Sequence, residues 1–146
     1  MRALPVVLAL NALWFGAAFV YFGVVPARAA AILVPREARA APLLRTLVTS
    51  VRFLGGMNLA LAVFAASLLP AGALFPEPRQ NALFCAIFGL AHATQVWFNV
   101  PVLLAGRRGD APWPVTRGPM RFIFATDGAL AAANVALAGV LAATGR

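Results

Sequence analysis

Apolar residues dominate this chain in four long runs, at 4–25, 47–69, 81–105 and 119–143, separated by stretches rich in arginine, proline and glycine. About 20 helical residues span a hydrocarbon core of roughly 30 Å, so every run is long enough to cross a bilayer. Hydrocarbon offers the backbone no water to bond, which makes a helix the expected form of each run. The pattern predicts one all-α domain, an integral membrane four-helix antiparallel bundle. The first run exceeds the roughly 7–15 apolar residues of a secretory signal core. It is therefore read as a span, although Ala27-Arg28-Ala29 resembles a small-residue cleavage site.

The exceptions to the apolar pattern carry the chemistry. In the third run His92, Gln95 and Asn99 are three and four residues apart, which puts them on one helical face with Cys85 and Phe88 further along it. In the second run Gly55, Asn58, Ala62, Ala65 and Ala66 form a small-residue seam suited to close helix packing, with Arg52 about one turn inside the end. In the fourth run Asp127, Ala131, Asn134 and Ala138 share a face, and Asp127 is the only acid within any run. Asn11 is the one strongly polar side chain inside the first run.

Polar groups at membrane depth are costly and turn toward protein or trapped water. These faces are therefore expected to converge in the cytoplasmic half of the bundle, with Arg52 neutralising Asp127. His92 as proton donor or acceptor and Asp127 as its holder are the candidate catalytic residues. Arg52, Asn58, Gln95, Asn99 and Asn134 are the candidate ligand-binding residues. The competing role is interhelical hydrogen bonding that fixes helix register, the ordinary use of lone asparagines such as Asn11, Asn58 and Asn134.

The connections set the topology. The stretch 26–46 carries Arg28, Arg36, Arg39 and Arg45 against one acid, Glu37, and Pro35 and Pro42 bracket a segment that either lies as a helix at the interface or is plain loop. The stretch 70–80, with Pro70, Pro76 and Pro78, reads as a tight hairpin. The stretch 106–118 holds Arg107, Arg108, Arg117 and an interfacial anchor, Trp113. Only Arg2, Arg79 and Arg146 belong to the other side. The positive-inside rule then makes 26–46 and 106–118 cytoplasmic and both termini periplasmic, in a bacterial inner membrane.

Composition narrows the functions. Hydrophobic residues make up 62% and charged residues 11%, against roughly 25% charged in a soluble domain, so a water-exposed surface cannot be built. The net charge is +8, but the arginines flank the apolar runs and form no basic stripe with aromatic platforms, which excludes nucleic acid as partner. One cysteine allows no internal disulfide. One histidine and one intramembrane acid are too few for a three-ligand zinc site, so no metal is expected. A haem would find at most one axial ligand, His92. No nucleophile elbow or phosphate loop is present, and no cofactor is expected.

The run Arg52-Phe53-Leu54-Gly55-Gly56-Met57-Asn58-Leu59-Ala60-Leu61, in a four-span chain of this length, resembles the second helix of small bacterial DoxX-like membrane proteins. The resemblance implies a four-span helical fold and, as in some members of that functionally mixed family, association with redox or quinone-linked complexes; it assigns no catalytic residue. Small-residue seams and basic loops lead to a first expectation of an accessory or scaffold subunit, associated with a larger membrane complex or with further copies of itself. A lipid-, sterol- or quinone-binding membrane enzyme using the intramembrane polar pocket is the alternative. A small transporter or channel, its path lined by Arg52 and Asp127, is the third.

Overall fold

The computed structural model describes residues 3–70 and 74–145, and its regular structure there is entirely helical. Helix α1, Ala3–Phe19, runs on through a π-helical turn at Val20–Val24. A short helix α2, Pro26–Leu33, precedes the long helices α3, Leu43–Leu68, α4, Pro78–Arg108, and α5, Gly118–Thr144. Four helices, α1 with its π turn, α3, α4 and α5, are long and apolar enough to cross a membrane. Arg2 and Arg146, counted above for topology, lie outside the described residues.

The helices extend past the apolar runs because a polar turn of helix satisfies its backbone as well as an apolar one. Helix α3 starts at Leu43 rather than 47, and α4 gains a turn at each end. Pro78 and Pro119 sit in the first turn of α4 and α5, where the missing N–H is no loss. Arg107 and Arg108 in the last turn of α4 complement its carbonyl end. Gly109, at φ 86°, then reverses the chain, and the Asp110 N–H donates to the Ala105 carbonyl at 3.1 Å.

The connection 26–46 differs from expectation. Its helix does not lie between Pro35 and Pro42; it precedes them as α2, started by Pro26 at its first position and sustained by an alanine-rich run. Arg36–Ala38 forms only a 3₁₀ turn. The Arg39 side chain folds back and donates to the carbonyls of Ala31 and Val34, satisfying the C-terminal end of α2. Ala29 and Ala30 are fully enclosed where α2 meets α3. Of the Ala27-Arg28-Ala29 sequence, Ala29 packs inward while Ala27 and Arg28 are exposed.

Helix α1 packs chiefly on α3 and α4 chiefly on α5, while α1 also touches α5. At one end of α1 the backbones meet directly: a Cβ on Gly55 would stand 2.5 Å from Gly23 Cα and N. Further along, Leu8, Phe15, Ala62, Ala65, Leu68 and Phe88 form the main core, and Phe64 of α3 reaches Phe84 and Phe88 of α4 with ring centroids 5.5 Å apart. A second cluster, Ala82, Cys85, Leu137 and Leu141, joins α4 to α5. Of the seam expected on α3, Gly55, Ala62 and Ala65 are buried in these contacts, and Ala66 is exposed.

Candidate functional site

Three helices deliver polar side chains to one buried point. His92 on α4 sits between two partners, with Nδ1 2.8 Å from Asp127 Oδ1 on α5 and Nε2 3.0 Å from Asn11 Oδ1 on α1. Asn11 and Asn134 form a reciprocal amide pair: Asn11 Nδ2 donates to Asn134 Oδ1 at 2.9 Å, and Asn134 Nδ2 donates to Asn11 Oδ1 at 3.0 Å. Asn134 Nδ2 also donates to the Leu130 carbonyl, one turn back on α5, at 2.8 Å. Trp14 Nε1 donates to Asp127 Oδ1 at 2.8 Å. Phe15 covers the imidazole face to face, centroids 4.6 Å apart and planes 15° from parallel.

Each helix reaches this point by its own periodicity. Asn11, Trp14 and Phe15 are three and four residues apart and share a face of α1. Asp127 and Asn134 are two turns apart on α5 and bracket Leu130. On α4 the buried face runs Cys85, Phe88, Gly89, His92. Asn11, His92 and Asn134 are completely enclosed and Asp127 retains 5% of its surface. Burying polar groups is tolerable only when they are paired, and among the described residues no enclosed side-chain nitrogen or oxygen lacks a partner.

The remaining exposure of Asp127 faces a cavity of about 560 Å³ between α1, α3, α4 and α5. Its wall is mostly apolar, including Phe22, Ile32, Leu61, Phe122 and Ile123. The polar exceptions are Tyr21, Asn58, Thr94 and Gln95, with Trp14 and Asp127. Asp127 Oδ2 bonds to no described residue and is not an enclosed atom, so it is the oxygen that opens on this space. A mostly apolar wall with a few convergent polar groups is the usual character of a small-molecule site.

The sequence-derived candidates divide. His92, Asp127 and Asn134 meet as one network, and Asn58 and Gln95 line the cavity beside it. Asn99 is elsewhere: it donates to the Gln95 carbonyl and accepts from Trp113 Nε1 at 3.1 Å, tying the 109–117 loop to α4. Trp113, expected as an interfacial anchor, is bound to that asparagine. Arg52 is exposed on α3 and does not pair with Asp127; the only ion-pair contact among the described residues is His92–Asp127. The reason is packing, since α1 touches α5 and its Trp14 supplies the donor that Arg52 was to provide.

Asn11 and Trp14 complete the site although neither was a candidate for it. The i, i+3, i+4 face of Asn11, Trp14 and Phe15 was the available signal, but nothing along the chain says which neighbour that face meets. No protein-family model, curated protein or solved structure matches this chain, so the chemistry rests on the geometry of these residues alone.

Proposed function

We propose that this protein is a four-span antiparallel membrane bundle that binds a lipophilic small molecule in the cavity beside Asp127, with the His92–Asp127 pair as its polar anchor. The observation that carries this reading is one carboxylate oxygen facing a mostly apolar cavity of about 560 Å³, behind a fully bonded network. Lipids, sterols and quinones share the required shape, an apolar body with a single polar end. Exposed Leu13, Phe53, Met57, Trp97 and Phe98 on the long helices support burial in lipid. The arginines of 26–46 and 106–118 favour a cytoplasmic position for those loops.

The accessory-subunit reading drew on the small-residue faces. Gly55, Ala62 and Ala65 are occupied within the chain, so they no longer argue for an outside partner. A transport path between Arg52 and Asp127 has no support either, because Arg52 is not in the cavity wall.

The test is extraction from the membrane in mild detergent, followed by mass spectrometry of what co-purifies. The expected result is a lipophilic species near one per chain, absent from an Ala18→Phe variant that fills the cavity while keeping its helical content. Equal bulk phospholipid on both proteins, and nothing else, would overturn the proposal.

A further inference from the structure

The hydrogen-bond network has a fixed direction, and its fixed point is the Leu130 carbonyl. A carbonyl oxygen only accepts, so the atom of Asn134 that lies 2.8 Å from it must be the NH₂ nitrogen. That orientation presents Asn134 Oδ1 to the Asn11 amide nitrogen and leaves Asn11 Oδ1 facing His92 Nε2 at 3.0 Å. An oxygen acceptor there requires a hydrogen on Nε2. The 2.8 Å contact between Nδ1 and Asp127 Oδ1 then contains one further hydrogen, on one atom or the other. Asp127 Oδ1 also accepts from Trp14.

In both placements of that shared hydrogen, Asp127 Oδ2 carries none. It is a carboxylate oxygen opposite an imidazolium in one case and the carbonyl oxygen of a carboxyl in the other. A hydrogen on Oδ2 as well would leave a buried imidazolium with no counter-charge, since the described residues place no other acid in contact with it. The Thr94 hydroxyl is engaged with the Ala91 carbonyl, and Asn58 Nδ2 gives one of its two hydrogens to the Leu54 carbonyl, each at 2.8 Å. Tyr21, Gln95 and the second Asn58 hydrogen remain to meet a ligand's lone pairs.

We infer that the cavity selects a lipophilic molecule whose polar end is a hydrogen-bond donor, a phenol or alcohol hydroxyl, over the matching ether, ketone or quinone. This rests on the cavity being a binding site. A hydroxyl donates to Asp127 Oδ2 and still accepts from the tyrosine or glutamine. An acceptor-only group meets Oδ2 lone pair to lone pair and leaves that oxygen desolvated without a partner.

His92 is the only histidine, so ¹⁵N-histidine labelling of the full chain in lipid nanodiscs gives one pair of ring resonances. The probes are 4-octylphenol, its methyl ether, and octylbenzene, which removes the hydroxyl without adding bulk. The expected result is a protonated Nε2 throughout, with 4-octylphenol shifting the resonances at an affinity about tenfold or more above either other probe, the size of one charge-assisted hydrogen bond. Equal affinity for all three probes, or an imidazole protonated on Nδ1 alone, overturns the donor rule and leaves the binding cavity standing. No response to any probe removes the binding site itself, and the donor rule with it.

Discussion

At the scale of single residues, the site is governed by hydrogen count more than by charge. Asp127→Asn changes one atom and no volume, yet the network has no place for it. With Nε2 protonated toward Asn11, a neutral His92 turns a bare Nδ1 toward residue 127. The asparagine oxygen needed by Trp14 Nε1 then faces that lone pair, and the amide nitrogen cannot occupy the same position. Protonating His92 instead leaves a buried cation without its partner. Removing one member of a buried pair costs about 3–5 kcal/mol. Thermal unfolding in detergent should show Asp127→Asn destabilised on that scale; a variant as stable as the parent would mean the five-residue network is not formed.

At the scale of elements, the contact between α1 and α3 depends on two glycines. A Cβ at Gly55 meets Gly23 backbone atoms at 2.5 Å, and backbone cannot rotate aside as a side chain can. Gly55→Val should therefore force the helices apart near the π turn, disturb Tyr21 and Phe22 in the cavity wall, and lower the melting temperature. Gly56→Val is the matched control on the same turn, because a Cβ there meets nothing within 4 Å. Similar stability for the two variants would show that this close approach is absent. On α4, the reach of 31 residues lets one helix serve two ends, with His92 in the core and Asn99 holding the loop through Trp113.

At the scale of the whole molecule, the fold joins two helix pairs through a polar centre and a ring-packed core. Cys85, the single cysteine, is fully enclosed between α4 and α5. A membrane-permeant maleimide should leave it unmodified in the folded protein and label it on denaturation. This makes it an internal reporter of global unfolding; rapid labelling of the native protein would show that the α4–α5 contact opens. With Cys85→Ala as background, Asp110→Cys should be labelled from the cytoplasmic face alone if the arginine-rich loops lie inside. Labelling from the opposite face would invert the proposed topology.

The four long helices were legible along the chain because each is a local property: an unbroken apolar run leaves the backbone no alternative to its own hydrogen bonds. The inward-facing character of His92, Asp127 and Asn134 was equally local, since three- and four-residue spacing fixes a face. Helix α2 was missed because eight residues are too few to be stable alone, whatever their alanine content, until the rest of the fold is there to bury Ala29 and Ala30. Which faces meet is not a local property. Arg52 or Trp14 could each supply a donor to Asp127, and only the packing of α1 against α5 decided between them. The Leu130 carbonyl orients Asn134 within its own helix, and only the tertiary packing of α1 and α4 against α5 carries that orientation through Asn11 to His92 and the cavity.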